Sequence, residues 1–298
     1  MATAIELPPE LSQPYRELSQ DIRDASHKLS QKDGRFLVDL YYQIQDNRIR
    51  CAAQRRSSDE AVEPNRLIEW SFESMRVFEN VIKSALGRFA ATYRVGQWCQ
   101  AQHGIGPVLS AAMLVFFDIR RAPAAGNFWS FAGLSPGVTW EKGKKRPWNA
   151  ELKSICAFRM GECFVRTSGS DKSVYGKLYA ERKAVMVADN EAGKFASDAQ
   201  AEIDRCLAKK GLFKKMESTE RMKAWKEGKL SKEHLHERAR RVAVKMFISH
   251  LHSVMYEDHH GQAPPDPYVC AHLGHVHLTK PPHWPGDYDG RPLGDLLE

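Results

Sequence analysis

Residues 102 to 112 read QHGIGPVLSAA, and the glycines are the first residues whose type and spacing could do chemistry. Gly104 and Gly106 are free to take positive φ, Ile105 between them suits a core, and Pro107 suits a first helical position, where no N–H is needed. A tight turn of this kind leaves backbone N–H groups beside the positive end of the following helix. Such a turn holds a nucleic-acid phosphate without regard to base sequence. The same residues also make a plain structural turn between two core helices, and the motif alone leaves both readings open.

Two further stretches carry reactive or charged groups. In WEKGKKRPWN, Lys142, Lys144, Lys145 and Arg146 cluster between Trp140 and Trp148. Basic groups seek phosphates, and exposed indoles offer stacking faces or cation–π partners. A solvated loop anchored to the core by its tryptophans has the same composition. In CAHLGHVH, the thiol of Cys270 and the imidazoles of His272, His275 and His277 have the ligand types of a zinc site, although their spacing matches no standard finger. Packing or partner contact is the alternative for these histidines.

The elements that must position these groups read as helices. Leu18, Ile22, Ala25 and Leu29 recur at helical spacing within residues 10 to 34. Residues 36 to 56 and 64 to 94 repeat the pattern and, with the turn-rich SSDEAVEP between them, predict a long helical hairpin. No stretch alternates with period two for long enough to require a sheet. The run from Glu151 to Arg166 and the run from Arg238 to Tyr256 both carry a broad apolar face. From Leu207 to Lys232 there are nine Lys or Arg against three Glu, which predicts an inserted basic helical segment. Seven of the fifteen prolines fall in the last 38 residues, too many for a helix, so an extended tail that wraps the body or stays mobile is expected there.

Bulk properties narrow the class. The chain has 298 residues, 42% of them hydrophobic and 27% charged, and it carries a formal net charge of +7, a modest excess that favours a polyanionic partner if it is concentrated somewhere. No apolar run approaches the length of a membrane span, and MATAIELPPELSQ lacks the basic start and apolar core of an export signal, so no membrane partner and a cytoplasmic location are expected. The six cysteines are scattered singly and read as reduced, structural thiols.

The order of the motifs carries a resemblance. GIGPVLSAAMLVFFDIRRAPAAGNFWSFAGLSPG, a basic glycine-containing loop, RPWNAELK and an apolar helix follow one another. This series resembles the C-terminal domain of the Piv-invertase and insertion-sequence transposase family, the group of the RNA-guided "one-ten" elements. The matching positions are Gly104 to Gly106, Ser110 to Ala112, Asp118, Ala132 to Gly137, Lys142 to Lys145 and Arg146 to Lys153. VYGKLYAERK and ARRVAVKMFISHLHSVMYE look like the family's tyrosine-containing and closing helices, and residues 36 to 94 like its helical arm.

The resemblance implies a DNA partner, with RNA, a second copy of the chain and a separate nuclease subunit as further partners it leaves open. Two departures weigh on activity. Family transposases also carry a RuvC-like nuclease domain on a β-sheet, and this sequence has no strand pattern for one; Mg²⁺ would enter only with such a domain from a partner. The family's nucleophilic serine lies shortly after the AGLxPG turn, where this chain has Trp140 or Glu141, which leaves Ser135 and Thr139 as the nearby hydroxyls.

The reading is therefore an all-α protein with a helix-hairpin-helix in a multi-helix domain, preceded by a long helical hairpin. Residues 1 to 94 form the arm, 95 to 260 the transposase-like domain with a basic insertion at about 189 to 237, and 261 to 298 the proline-rich tail. The expected function is DNA binding through Gly104, Ile105, Gly106, Lys142, Lys144, Lys145 and Arg146, without autonomous strand transfer. Strand transfer with a separate nuclease subunit is the alternative, and a protein-interaction module the second alternative.

Overall fold

A computed structural model describes residues 24–57, 66–209, 211–265 and 279–298, and among them every regular element is helical. In chain order the helices are α1 (Gln31–Ser57), α2 (Arg66–Ala91), α3 (Arg94–Ala101), α4 (Pro107–Phe116), α5 (Ala125–Phe131), α6 (Ala150–Ser154), α7 (Gly161–Arg166), α8 (Val174–Glu191), α9 (Ala196–Leu207), α10 (Leu212–Met216), α11 (Glu220–Lys226), α12 (Lys232–His260) and α13 (Gly294–Leu297). The fold is all-α, as the periodicity predicts. A π-helical turn, Ile155–Met160, joins α6 to α7 where an unbroken α-helix is expected, and Gly161 just beyond it leaves room for the side chain of Arg240.

The chain divides into two compact units: residues 1–101, 105–124 and 251–298 in one, and 102–104 and 125–250 in the other. These divisions fall elsewhere than at 94 and 261. The physical reason lies in α4, whose residues Val108 to Phe116 are all buried, so that it needs apolar partners on every side. It packs against α1, α2 and α3.

In the first unit, α1 turns Val38, Tyr41 and Ile44 inward, and α2 answers with Ile82, Ala85, Leu86, Phe89 and Ala90. One carboxylate is buried with them. Glu79 accepts hydrogen bonds from Tyr41 Oη (3.1 Å) and Gln45 Nε2 (3.0 Å) and pairs with Arg48. Burial pushes this carboxyl upward, but the bonds from Arg48, Gln45 and Tyr41 together outweigh it and hold the group below its ordinary value.

The expected wrapping of the tail holds for residues 279–298. Trp98 Nε1 donates to the Pro282 carbonyl at 2.8 Å, Arg291 pairs through its backbone with Thr92 and Arg94, and Leu293, Leu296 and Leu297 are buried. Backbone pairing and three leucines offset the lack of a helix over most of this segment.

The second unit is built on aromatic packing. Tyr175 of α8 lies 5.2 Å from both Phe164 of α7 and Phe247 of α12, ring centre to ring centre, and its hydroxyl shares a 2.9 Å hydrogen bond with His250 Nδ1. The basic insertion is helical, as expected, and has an interior of its own. Ala199, Cys206, Met222, Trp225, Leu230 and Leu235 form a buried cluster flanked by Phe195, Ile203, Phe213 and Met216.

Candidate nucleic-acid interface

The hairpin glycines differ from one another. Gly104 has φ +101°, a region closed to most side chains, and a Cβ there would stand 3.3 Å from Thr167 Oγ1. Gly106 does not have the positive φ expected of it. It sits at φ −89° and ψ 179°, ordinary extended backbone, because it serves as the N-cap of α4, a position that calls for β-region angles. Its carbonyl accepts from both the N–H and the Oγ of Ser110, each at 3.0 Å. Ile105 is buried, in line with its expected role as a core plug. The chain passes between the two units inside this turn, Gly104 counting with the second and Ile105 and Gly106 with the first.

The AGL turn has a simple local cause. The Leu134 N–H bonds to the Trp129 carbonyl (2.8 Å) and the Gly133 N–H to that of Ser130 (3.1 Å), the paired bonds that close a helix through one left-handed residue. Gly133 supplies that residue at φ +64°, and a Cβ on it would meet Lys153 Cδ at 2.8 Å and Trp148 Cγ at 2.9 Å. The end of α5 therefore fixes Trp148 and Lys153. Asn149 adds to this by accepting the Leu152 N–H as the cap of α6.

The expected basic loop splits in function. Lys144 is drawn to Glu141 at 2.8 Å, and Lys142 and Lys145 project into solvent. Arg146 instead lies over the ring of Trp140 at 5.1 Å, while Trp140 Nε1 donates to the Lys144 carbonyl. Trp140 is 39% exposed, as a stacking residue should be. Trp148 is half-buried against Gly133 and Lys153, so it supports the site more than it offers a face.

Three further cations continue from Arg146, Lys153 beside Arg146 and Arg241, and Lys245 beside Arg241, and sequence reasoning singled out none of them as a site residue. Lys153 Nζ stands 4.2 Å from the ring centre of Trp148, and Lys245 Nζ 4.2 Å from that of Trp129, whose Nε1 donates to the Lys245 carbonyl at 3.1 Å. Arg241 precedes Lys245 by one turn on α12. Burial, then the neighbouring charges of Arg241 and Arg146, hold the Lys153 ammonium below the usual lysine range. Burial and then Arg241 do the same to Lys245. No described carboxylate forms an ion pair with any of the four. The arrangement is an array of like charges supported by three tryptophans.

Ser135 Oγ pairs with Ser130 Oγ at 2.9 Å and has no base beside it among the described residues, and Thr139 is solvent-exposed. Asp118 is the cap of a short 3₁₀ turn, where the bond from the Arg120 side chain first of all holds its carboxyl below the ordinary value. Cys270, His272, His275 and His277 lie outside the described residues, and among the described residues no group of three or more His, Cys, Asp or Glu is placed to hold a metal ion. Cys99 and Cys156 are fully buried, and burial pushes both thiols upward, consistent with structural roles.

Among the described residues no helix is long and apolar enough to cross a membrane. Compared with family models, with curated proteins and with solved structures, the chain matches none.

Proposed function

We propose that this protein binds nucleic acid, with DNA as the expected partner, through the phosphate backbone. The observation that supports the reading is the cluster of Arg146, Lys153, Arg241 and Lys245, in which burial first and neighbouring cations second depress two lysines, and which is unpaired with any described carboxylate. Crowded cations destabilise a fold by mutual repulsion, and a polyanion that binds them relieves it. The tryptophan supports limit side-chain motion, so little conformational entropy is lost on binding. The order of motifs along the chain supports descent from transposases as its context. The geometry of Ser135 and Thr139 adds nothing in favour of strand transfer, so that activity is not part of this reading.

The test is the salt dependence of binding to a short labelled DNA duplex, followed by fluorescence anisotropy between about 50 and 200 mM salt. Four phosphate contacts give a slope of log affinity against log salt of about −3.6. Absence of binding at the low-salt end overturns the proposal.

A further inference from the structure

We infer that the first unit carries a second phosphate-backbone site on α2, an inference that rests on the nucleic-acid reading and extends it to residues other than those of the basic loop. Asn80, Lys83, Ser84, Gly87, Arg88 and Ala91, together with Pro107 at the start of α4, line an open groove of about 490 Å³. The six α2 positions are spaced three, one, three, one and three apart, which puts them along one face of a single helix. No acid lines the groove, and no described carboxylate forms an ion pair with Lys83 or Arg88. The nearby acid of the same helix, Glu79, pairs with Arg48.

The lining fits a sugar–phosphate chain better than a folded acidic protein. Its members are two cations, an amide, a hydroxyl and three small or rigid residues, with no aromatic or branched aliphatic side chain among them. Gly87 sets the depth of the groove, because a Cβ there would stand 3.1 Å from Pro107 Cβ; the helix and the start of α4 meet closely only without one. Lys83 and Arg88 are about 7.5 Å apart along the helix axis, so one strand passing along the groove meets both charges. Asn80 and Ser84 lie within a turn of Lys83 and donate to the same phosphate oxygens.

The full-length chain is the material for the test, with Lys83→Gln/Arg88→Gln as one variant and Ser84→Asp as a second that adds an acid to the groove while leaving both cations. Each is checked for native helicity by circular dichroism, then titrated with labelled duplex DNA across salt, beside the wild type and a variant neutralised at Arg146, Lys153, Arg241 and Lys245. The expected result is a slope reduced by about 1.8 in the double variant, weaker binding in Ser84→Asp, and effects additive with those of the basic-loop variant. Unchanged slope and affinity in both groove variants, against a wild type that binds DNA, overturn the α2 site and leave the nucleic-acid reading standing. A wild type that fails to bind DNA overturns both. Binding of an oligoglutamate peptide that Ser84→Asp abolishes, with no change in DNA affinity, also overturns the α2 site as a nucleic-acid contact.

Discussion

The Lys-rich insertion and the tryptophan-supported cluster differ in how basic they look and in how their charges are placed. Residues 207 to 232 hold nine Lys or Arg, yet Lys223 pairs with Glu220 at 2.6 Å and Lys229 pairs with Glu191. Just outside them, Arg205 pairs with Glu202 and Arg238 with Asp198. Two of the insertion's bases, Lys223 and Lys229, thus face acids, and Met222 and Trp225 are spent on a small core. Arg146, Lys153, Arg241 and Lys245 come from three separate stretches, and three of them lie over tryptophan rings. Charge count along a sequence measures solubility as much as binding, whereas charge left unpaired by the fold measures binding more directly.

The largest effect should come from removing that unpaired charge. Replacing Arg146, Lys153, Arg241 and Lys245 by Gln is expected to weaken duplex binding about a hundredfold at the upper end of the 50 to 200 mM range, and to flatten the salt slope by about three to four. Stability should rise slightly, because repulsion is relieved while the tryptophans keep their packing. A fall in affinity of less than about threefold removes the cluster from the interface.

The hairpin sharpens the same contrast between residues that look alike in sequence and differ in space. Gly104→Ala is expected to destabilise the fold by roughly 1–2 kcal/mol, since its positive φ is costly for any residue with a Cβ. Gly106→Ser is expected to be neutral or stabilising by a few tenths of a kcal/mol, because extended N-cap geometry suits serine and a Cβ there meets nothing within 4 Å. Urea denaturation of the two variants checks both. Equal losses would mean that the two glycines carry the same backbone constraint.

These cases show what the sequence makes legible. Helical periodicity suffices for α1, α2 and α12 because their buried residues recur on the helix repeat, whereas α4 is buried throughout and is marked by its apolar run and the proline at its start. The need for a glycine in the AGL turn is likewise local. Lys153, Arg241 and Lys245 were invisible as a group because each, read alone, is an ordinary cation on a helix. Only the packing of α5, α6 and α12 side chains puts tryptophan rings beneath two of them. Arg146 and Trp140 were legible, since both partners lie within seven residues. The docked tail was half legible: proline density predicts extended chain, while the burial of Leu293, Leu296 and Leu297 depends on a surface built from distant residues.

The smallest effect is expected where the sequence is most basic. Lys223→Gln/Lys229→Gln removes two charges from the insertion, and a count of basic residues would forecast a slope reduced by about 1.8. Both ammonium groups have carboxylate partners, however, and hydrogen bonds to those partners raise both above the ordinary lysine value. A phosphate that replaced Glu220 or Glu191 would have to displace an existing acceptor and then lie beside the carboxylate it displaced. Such an exchange at an exposed site brings little net gain. The double variant should therefore bind duplex DNA within about twofold of the wild type, with a salt slope changed by less than about 0.5. Its core cluster of Met222, Trp225 and Leu230 is untouched, so circular dichroism and thermal unfolding should match the wild type. A slope reduced by the full count would mean that the insertion sheds its own carboxylates to bind DNA, and that sequence composition forecasts the interface better than the pairing seen in the fold.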